Sequence, residues 1–274
     1  MAQIHDPKED LKKILPVLTA VLPMTAVVFA VLRSTVYSES YMQKKMEENG
    51  VYTELTQELR SRSARSYVKR SDADKRVSAV IDELTAEAMT EGPVRSEVDS
   101  ILSQIYAGNT PEVRCEQMLA QYPDNIAGFL SSRGISMSRA KIDSLVQEMV
   151  DTARTQLHIS STVEKMPISV SGGTGRMVVF ILLAAAGMAA TLILSDNKLK
   201  AAGLSMLISG AMLLLAAVII NTAFDGDKFR LSIQSLTKLI GSVTSGIAAG
   251  SAISGVVIGL VGGAAFWYGK KKEY

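Results

Sequence analysis

Cysteine is almost missing from this chain: Cys115 is the only one in 274 residues. No intramolecular disulfide can form, so any folded part must be held by burial of apolar surface. The lone thiol, with Arg114 beside it and no histidine near in sequence, reads as half-buried rather than nucleophilic. Histidine is scarce too. His5 and His158 are the only two, and neither has Cys, Asp or Glu at ligand spacing, so neither a metal site nor any other cofactor is expected. Aromatic residues make up 5% of the chain and no dense basic face accompanies them, which excludes a nucleic-acid reader. No Asn-x-Ser/Thr acceptor occurs, a weak pointer to a bacterial origin.

Charge is also missing, and from particular places. Ile14–Leu32, Met177–Leu194, Ala201–Ile220 and Gly246–Tyr268 contain no charged side chain. Each is close to the roughly 20 residues that an α-helix needs to cross a hydrocarbon layer of about 30 Å. Lys8, Lys12 and Lys13 precede the first run, which is long for a cleavable signal and reads as an uncleaved anchor. Between the first two runs lies a polar stretch, residues 37–171, with 16 Lys/Arg against 20 Asp/Glu. The fold class expected is therefore all-α: an integral membrane protein with four transmembrane helices and an α-helical extracytoplasmic domain between helices one and two. In detail this is a cytoplasmic tail (1–13), a first span (14–34), the helical domain (35–171), spans at 176–195 and 200–222, an amphipathic extracytoplasmic helix (224–244), a fourth span (245–268) and a basic cytoplasmic tail (269–274).

Orientation follows from the short flanks. Lys8, Lys12 and Lys13, then Lys198 and Lys200, then Lys270, Lys271 and Lys272 fall on one side of a four-span arrangement. That side is expected to be the cytoplasm, with both termini on it and the polar stretch outside, in the cell membrane. Nothing between Met24 and Asn49 breaks a helix, so the first span should run outward as a rod to Gly50. Phe229, Ile233, Leu236, Ile240 and Val243 form an apolar stripe ahead of the fourth span and predict a separate helix seated at the outer surface.

The polar stretch has helical periodicity and no sustained alternation. Val77, Val80, Ile81, Leu84 and Ala88 share one stripe. Val94, Val98, Ile101, Leu102 and Ile105 share the next, after Gly92-Pro93. Thr110-Pro111 reads as a helix start, and the short helix that follows should stop before Pro123. Ile142, Leu145, Val146, Met149, Val150, Ala153 and Leu157 mark the last helix, completing a small bundle.

Two features carry candidate sites. Gly246, Gly250, Ser251, Gly255, Gly259 and Gly263 put small residues on closely spaced stripes of the fourth span, a helix-packing seam serving this chain's own spans or a second copy, or else a pore-lining face. Arg60, Arg62, Arg65, Lys69 and Arg70 make a locally basic stretch, a solvated helix face or a contact for anionic surfaces. Ser171-Gly172-Gly173-Thr174-Gly175-Arg176 lacks the Gly-Lys-Ser/Thr ending of a phosphate loop and reads as a hinge. No ionisable residue lies inside the four apolar cores, which disfavours an ion-coupled transporter or a proton relay.

These readings point to a non-enzymatic multi-pass protein of a bacterial envelope. It is expected to bind or scaffold another component through its helical outer domain and to pack through its glycine-striped fourth span. Membrane lipid and a second copy, or another envelope membrane protein, are the expected partners. The alternatives are an oligomeric channel or transport subunit and a membrane sensor or signalling partner. The sensor is weakened by short cytoplasmic segments that leave little room for an output domain.

Overall fold

A computed structural model describes residues 7–71, 75–157, 173–195, 197–223 and 233–272; His5, His158 and residues 224–232 of the expected surface helix lie outside them. All regular structure among the described residues is helical. In chain order the helices are α1 (Pro7–Ser34), α2 (Glu39–Glu48), α3 (Val51–Ser71), α4 (Lys75–Ala88), α5 (Glu91–Tyr106), α6 (Glu116–Ser132), α7 (Arg139–Leu157), α8 (Gly173–Leu194), α9 (Lys198–Ala223) and α10 (Gln234–Lys271). Three of them are long and apolar enough to cross a membrane: α1 over Leu15–Ser34, α9 and α10. Among the described residues, α8 contributes a shorter apolar segment, Ile181–Ile193. Compact packing divides the chain in two: an apolar-helix unit of 1–42, 172–229 and 240–274, and a polar unit of 43–171 and 230–239.

In the apolar-helix unit, α1 packs on α8 and α9, and α8 packs on α9. Much of what this unit buries is small or hydroxylic, with Ala20, Thr19, Thr191, Ser205, Ser209 and, on α10, Ser251 all under a tenth exposed beside the larger Leu213 and Val31. What they turn outward is large and apolar, with Leu182, Ile193, Leu215, Ile253 and Leu260 all more than 60% exposed. A water-soluble bundle has the opposite pattern, because leaving such side chains in water forfeits about 1.5–3 kcal/mol each. At the end of α10, Lys271 lies 5.6 Å from the Trp267 ring and Lys272 5.5 Å from the Tyr268 ring. Aromatic residues followed by cationic ones commonly end helices that cross a membrane.

The polar unit is an ordinary helical bundle. α3 packs on α4, α5 and α7, and α6 on α4, α5 and α7. Its core holds Tyr52, Leu59, Met89, Val94, Met118, Tyr122, Ile126, Val146 and Val150, each almost completely buried. Of the stripes read from the sequence, Leu84, Ala88, Val94, Val98, Ile101, Ile142, Val146, Met149, Val150, Ala153 and Leu157 are buried. Val80 is instead exposed.

Several helix boundaries differ from the sequence reading. The rod to Gly50 is broken at residues 35–38, where Tyr37 N–H bonds back to Leu32 O at 2.9 Å and the Thr35 hydroxyl donates to Val31 O at 2.7 Å. A run of Ser, Thr and Val there offers the backbone competing partners. The stretch 224–244 and the fourth span are not two helices: from Gln234 onward they are one, because the change in polarity near residue 245 is no helix stop. Gly173–Gly175 form the first turn of α8 rather than a hinge.

Thr110-Pro111 starts no helix. Gln104 Oε1 accepts the Glu112 N–H at 2.8 Å, and both Glu97 carboxylate oxygens accept the N–H groups of Arg114 (2.6 Å) and Cys115 (2.8 Å). These bonds hold residues 109–115 against α5 and postpone the start of α6 to Glu116. That helix then runs through Pro123, since Met118 and Tyr122 before it and Ile126 and Leu130 after it are all buried. Continuous burial outweighs the one backbone bond that proline removes.

Candidate functional site

The chemistry of the apolar-helix unit is concentrated where α1, α8 and α9 meet. Thr191 Oγ1 lies 3.0 Å from Thr19 Oγ1, which lies 3.0 Å from Ser205 Oγ. One arrangement of protons satisfies all four hydroxyls. Thr191 donates to Thr19, Thr19 to Leu15 O at 2.9 Å, Ser205 to Pro16 O at 2.8 Å and Ser209 to Ala20 O at 2.6 Å. The carbonyls used lie on α1 beside Pro16 and Pro23, whose rings lack an N–H and loosen the local backbone pattern. In this arrangement each hydroxyl proton is used within the protein, and the bonds tie α1, α8 and α9 together.

Small residues bring α9 and α10 together. A Cβ added at Gly210 would come 2.7 Å from Gly255 O and 2.8 Å from Gly259 Cα. At Gly262 it would come 2.6 Å from Leu207 N, and at Gly269 2.5 Å from Lys200 N. At Gly203 it would run into the backbone of Phe266. The tight positions are thus Gly255, Gly262 and Gly269 on one helix and Gly203 and Gly210 on the other. Each set is spaced by seven, the repeat that two nearly aligned helices need to stay in contact. Asn197 Nδ2 donates to Gly269 O at 2.9 Å and closes the end of this pair.

Of the residues singled out from sequence, Gly255 lies on this seam. Gly246 faces the Tyr41 hydroxyl of α2 instead, and Gly250 faces α1, where an added Cβ would come 3.0 Å from Val31 Cγ1. Ser251 is buried, and its hydroxyl has no partner among the described residues. A Cβ at Gly259 would meet nothing within 4 Å, and at Gly263 only Leu207 Cδ2 at 3.7 Å. Gly262 and Gly269 fall outside a four-residue pattern because the packing runs in sevens.

In the polar unit the basic stretch is largely engaged with its own surroundings. Arg60 Nε donates to Met89 O at 2.7 Å, Arg62 Nε to Glu58 at 2.5 Å, and Arg65 Nε to Ser61 O at 3.1 Å. Lys69 and Arg70 lie in the last turns of α3, with side chains outside the described set. Cys115 is fully buried, not half-buried, and takes a left-handed backbone with φ of 56°. Burial, with Glu97 adding to it, pushes its thiol up to about 12, so it stays protonated and unreactive. Tyr122 is raised as well, first by burial, and its hydroxyl has no partner among the described residues. Glu54 caps the start of α10, accepting the N–H of Gln234 at 2.8 Å and of Ser235 at 2.6 Å. Burial raises the Glu54 carboxyl, but these bonds and Lys238 outweigh it and hold the group below its ordinary value.

Among the described residues no group of three or more His, Cys, Asp or Glu is arranged to hold a metal. A partly open cavity of the polar unit lies among α3, α4, α6 and α7. The chain matches no family model, no curated protein and no solved structure.

Proposed function

We propose that the chain is a non-enzymatic, four-span protein of a bacterial cytoplasmic membrane that holds its polar helical unit outside the cell and uses it to bind or scaffold another envelope component. The observation that carries this reading is the inverted polarity of the apolar-helix unit. Its surface is rich in leucine, isoleucine and valine, while hydroxyls of Thr19, Thr191, Ser205 and Ser209 and close glycine contacts are buried inside. Such a unit anchors and orients; it offers no ionisable relay for coupled transport. As a fourth crossing, α8 is 22 residues long, about 33 Å at 1.5 Å per residue, and it packs on two of the three long apolar helices. Cationic clusters in the first turns of α1 (Lys8, Lys12, Lys13), at the start of α9 (Lys198, Lys200) and at the end of α10 (Lys270, Lys271, Lys272) favour both termini inside.

Orientation is tested with Ser144→Cys, an exposed site on α7, in cells expressing the full chain. The native thiol is buried and gives little background. Labelling by a membrane-impermeant maleimide in intact cells is the expected result; labelling only after lysis overturns the outside placement. Purified protein in liposomes is expected to pass neither ions nor small solutes. Discrete conductance steps would move the reading to a channel.

A further inference from the structure

The cavity among α3, α4, α6 and α7 has a volume of about 210 Å³. Leu84, Leu130, Leu145 and Met149 form its apolar wall, and Val80, Ile135 and Met137 line it while remaining exposed large apolar side chains. A space of this kind is favourable for an apolar guest, since a cavity of roughly 150 Å³ lined by aliphatic groups stays dry and takes up benzene. Two polar features narrow the guest. Ser63 lines the cavity, is 5% exposed, and its hydroxyl has no hydrogen-bond partner among the described residues. A buried hydroxyl is rarely left so. By contrast the neighbouring Thr85 and Thr152 hydroxyls donate to Asp82 O and Glu148 O, each at 3.0 Å. The other feature is Glu148, the one ionisable group among the described lining residues, whose carboxylate would repel an anion.

We infer that this cavity binds a neutral, largely apolar molecule of single-ring size carrying one hydrogen-bonding oxygen, such as an alkylphenol, with that oxygen on Ser63. The apolar body lies between α4 and α7, and any alkyl extension leaves past Ile135 and Met137. These two belong to the turn that follows Gly134, which has a positive φ of 68°. A second hollow of about 370 Å³ is lined by the same turn, so the mouth has space into which it can shift.

The test uses the full chain in lipid nanodiscs with methyl-¹³C methionine and 4-ethylphenol as the probe. Met149 and Met137 resonances, assigned through Met149→Leu and Met137→Leu, report the cavity; Met206 and Met212 of α9 report partition into lipid. The expected result is saturable shifts at Met149 and Met137 with only linear drift at Met206 and Met212. Ethylbenzene, lacking the oxygen, should bind about tenfold more weakly to the unaltered protein, the worth of one hydrogen bond. Ser63→Ala should remove that difference, and Leu84→Phe should abolish saturation by filling the space. Decanoate should not compete at neutral pH. Shifts at Met149 that never saturate, equal affinity for ethylphenol and ethylbenzene, or tighter binding of decanoate would each overturn the assignment. The comparison of the two probes on unaltered protein holds even if a variant fails to fold.

Discussion

The apolar-helix unit and the polar unit are both helical, yet they bury opposite kinds of residue. Around Tyr122 and Leu59 the polar unit encloses bulk and leaves charge outside, with exposed pairs such as Arg133–Glu83 at 2.5 Å and Arg139–Asp124 at 2.7 Å. Around Thr19 and Gly210 the apolar-helix unit encloses hydroxyls and bare backbone and leaves bulk outside. Helix formation is common to both; the surrounding solvent separates them. Where the solvent is water, apolar area drives helices together. Where it is hydrocarbon, leucine gains nothing by moving inward, so close backbone contact and hydrogen bonds decide which helices meet.

The largest expected contrast comes from one type of substitution made in both units. Leu59→Ala, at a fully buried site in α3, should lose about 2–5 kcal/mol through transfer and cavity terms. Leu215→Ala, on the exposed face of α9, should change stability by no more than about 0.5 kcal/mol in a bilayer. Reversible unfolding of the nanodisc-embedded protein measures both, and equal losses would break the contrast.

Glycine gives the next effect. Gly210→Ala places a methyl against the backbone of Gly255 and Gly259, which cannot rotate away, and should cost about 1–3 kcal/mol. Gly259→Ala, with open space around it, should be neutral or slightly stabilising within the helix. The same unfolding experiment ranks the pair, and a larger loss at Gly259 would place the seam elsewhere.

Thr19→Val keeps the shape and removes the hydroxyl that links Thr191 to α1. The expected loss is about 0.6 kcal/mol, with an upper bound near 1.7 kcal/mol, as for hydrogen bonds between membrane helices generally. A loss well above that would mean the junction also orders something beyond its three helices.

The smallest effect depends on pH. Glu54 titrates below the ordinary carboxylate value of 4.5, so its contribution to the start of α10 is complete above that pH. The contribution is lost as pH falls through the depressed value. Hydrogen exchange at the Gln234 and Ser235 amides should accelerate over that interval, after correction for intrinsic rates, and Glu54→Gln should abolish the pH dependence. An unchanged profile in Glu54→Gln would remove the cap from the account.

Helix identity was legible because apolar residues recur at helical spacing in the polar unit and run unbroken in the others. Boundaries were less so, and each miss has a local cause. Pro123 lies inside a helix because Tyr122 and Ile126 are both buried around it. The start of α6 moved because Glu97, eighteen residues before Cys115, captures its N–H, a long-range bond that no local pattern announces. Glycine-driven contact was legible as a property of the fourth apolar run. The partners were not, since which glycines leave no room for a side chain depends on how α9 and α10 align. The Ser63 cavity left no trace in sequence at all, because a space is made by the residues around it.

Lipid contact of the outward leucines is the claim from which the rest follows, and site-directed spin labels test it most directly. Labels introduced at Leu215, Ile253 and Ser144 of the protein in bilayers are compared for collision with oxygen, which dissolves in hydrocarbon, and with a water-soluble nickel chelate. The account predicts high oxygen and low nickel access at Leu215 and Ile253, and the reverse at Ser144. High nickel access at Leu215 and Ile253 would contradict it.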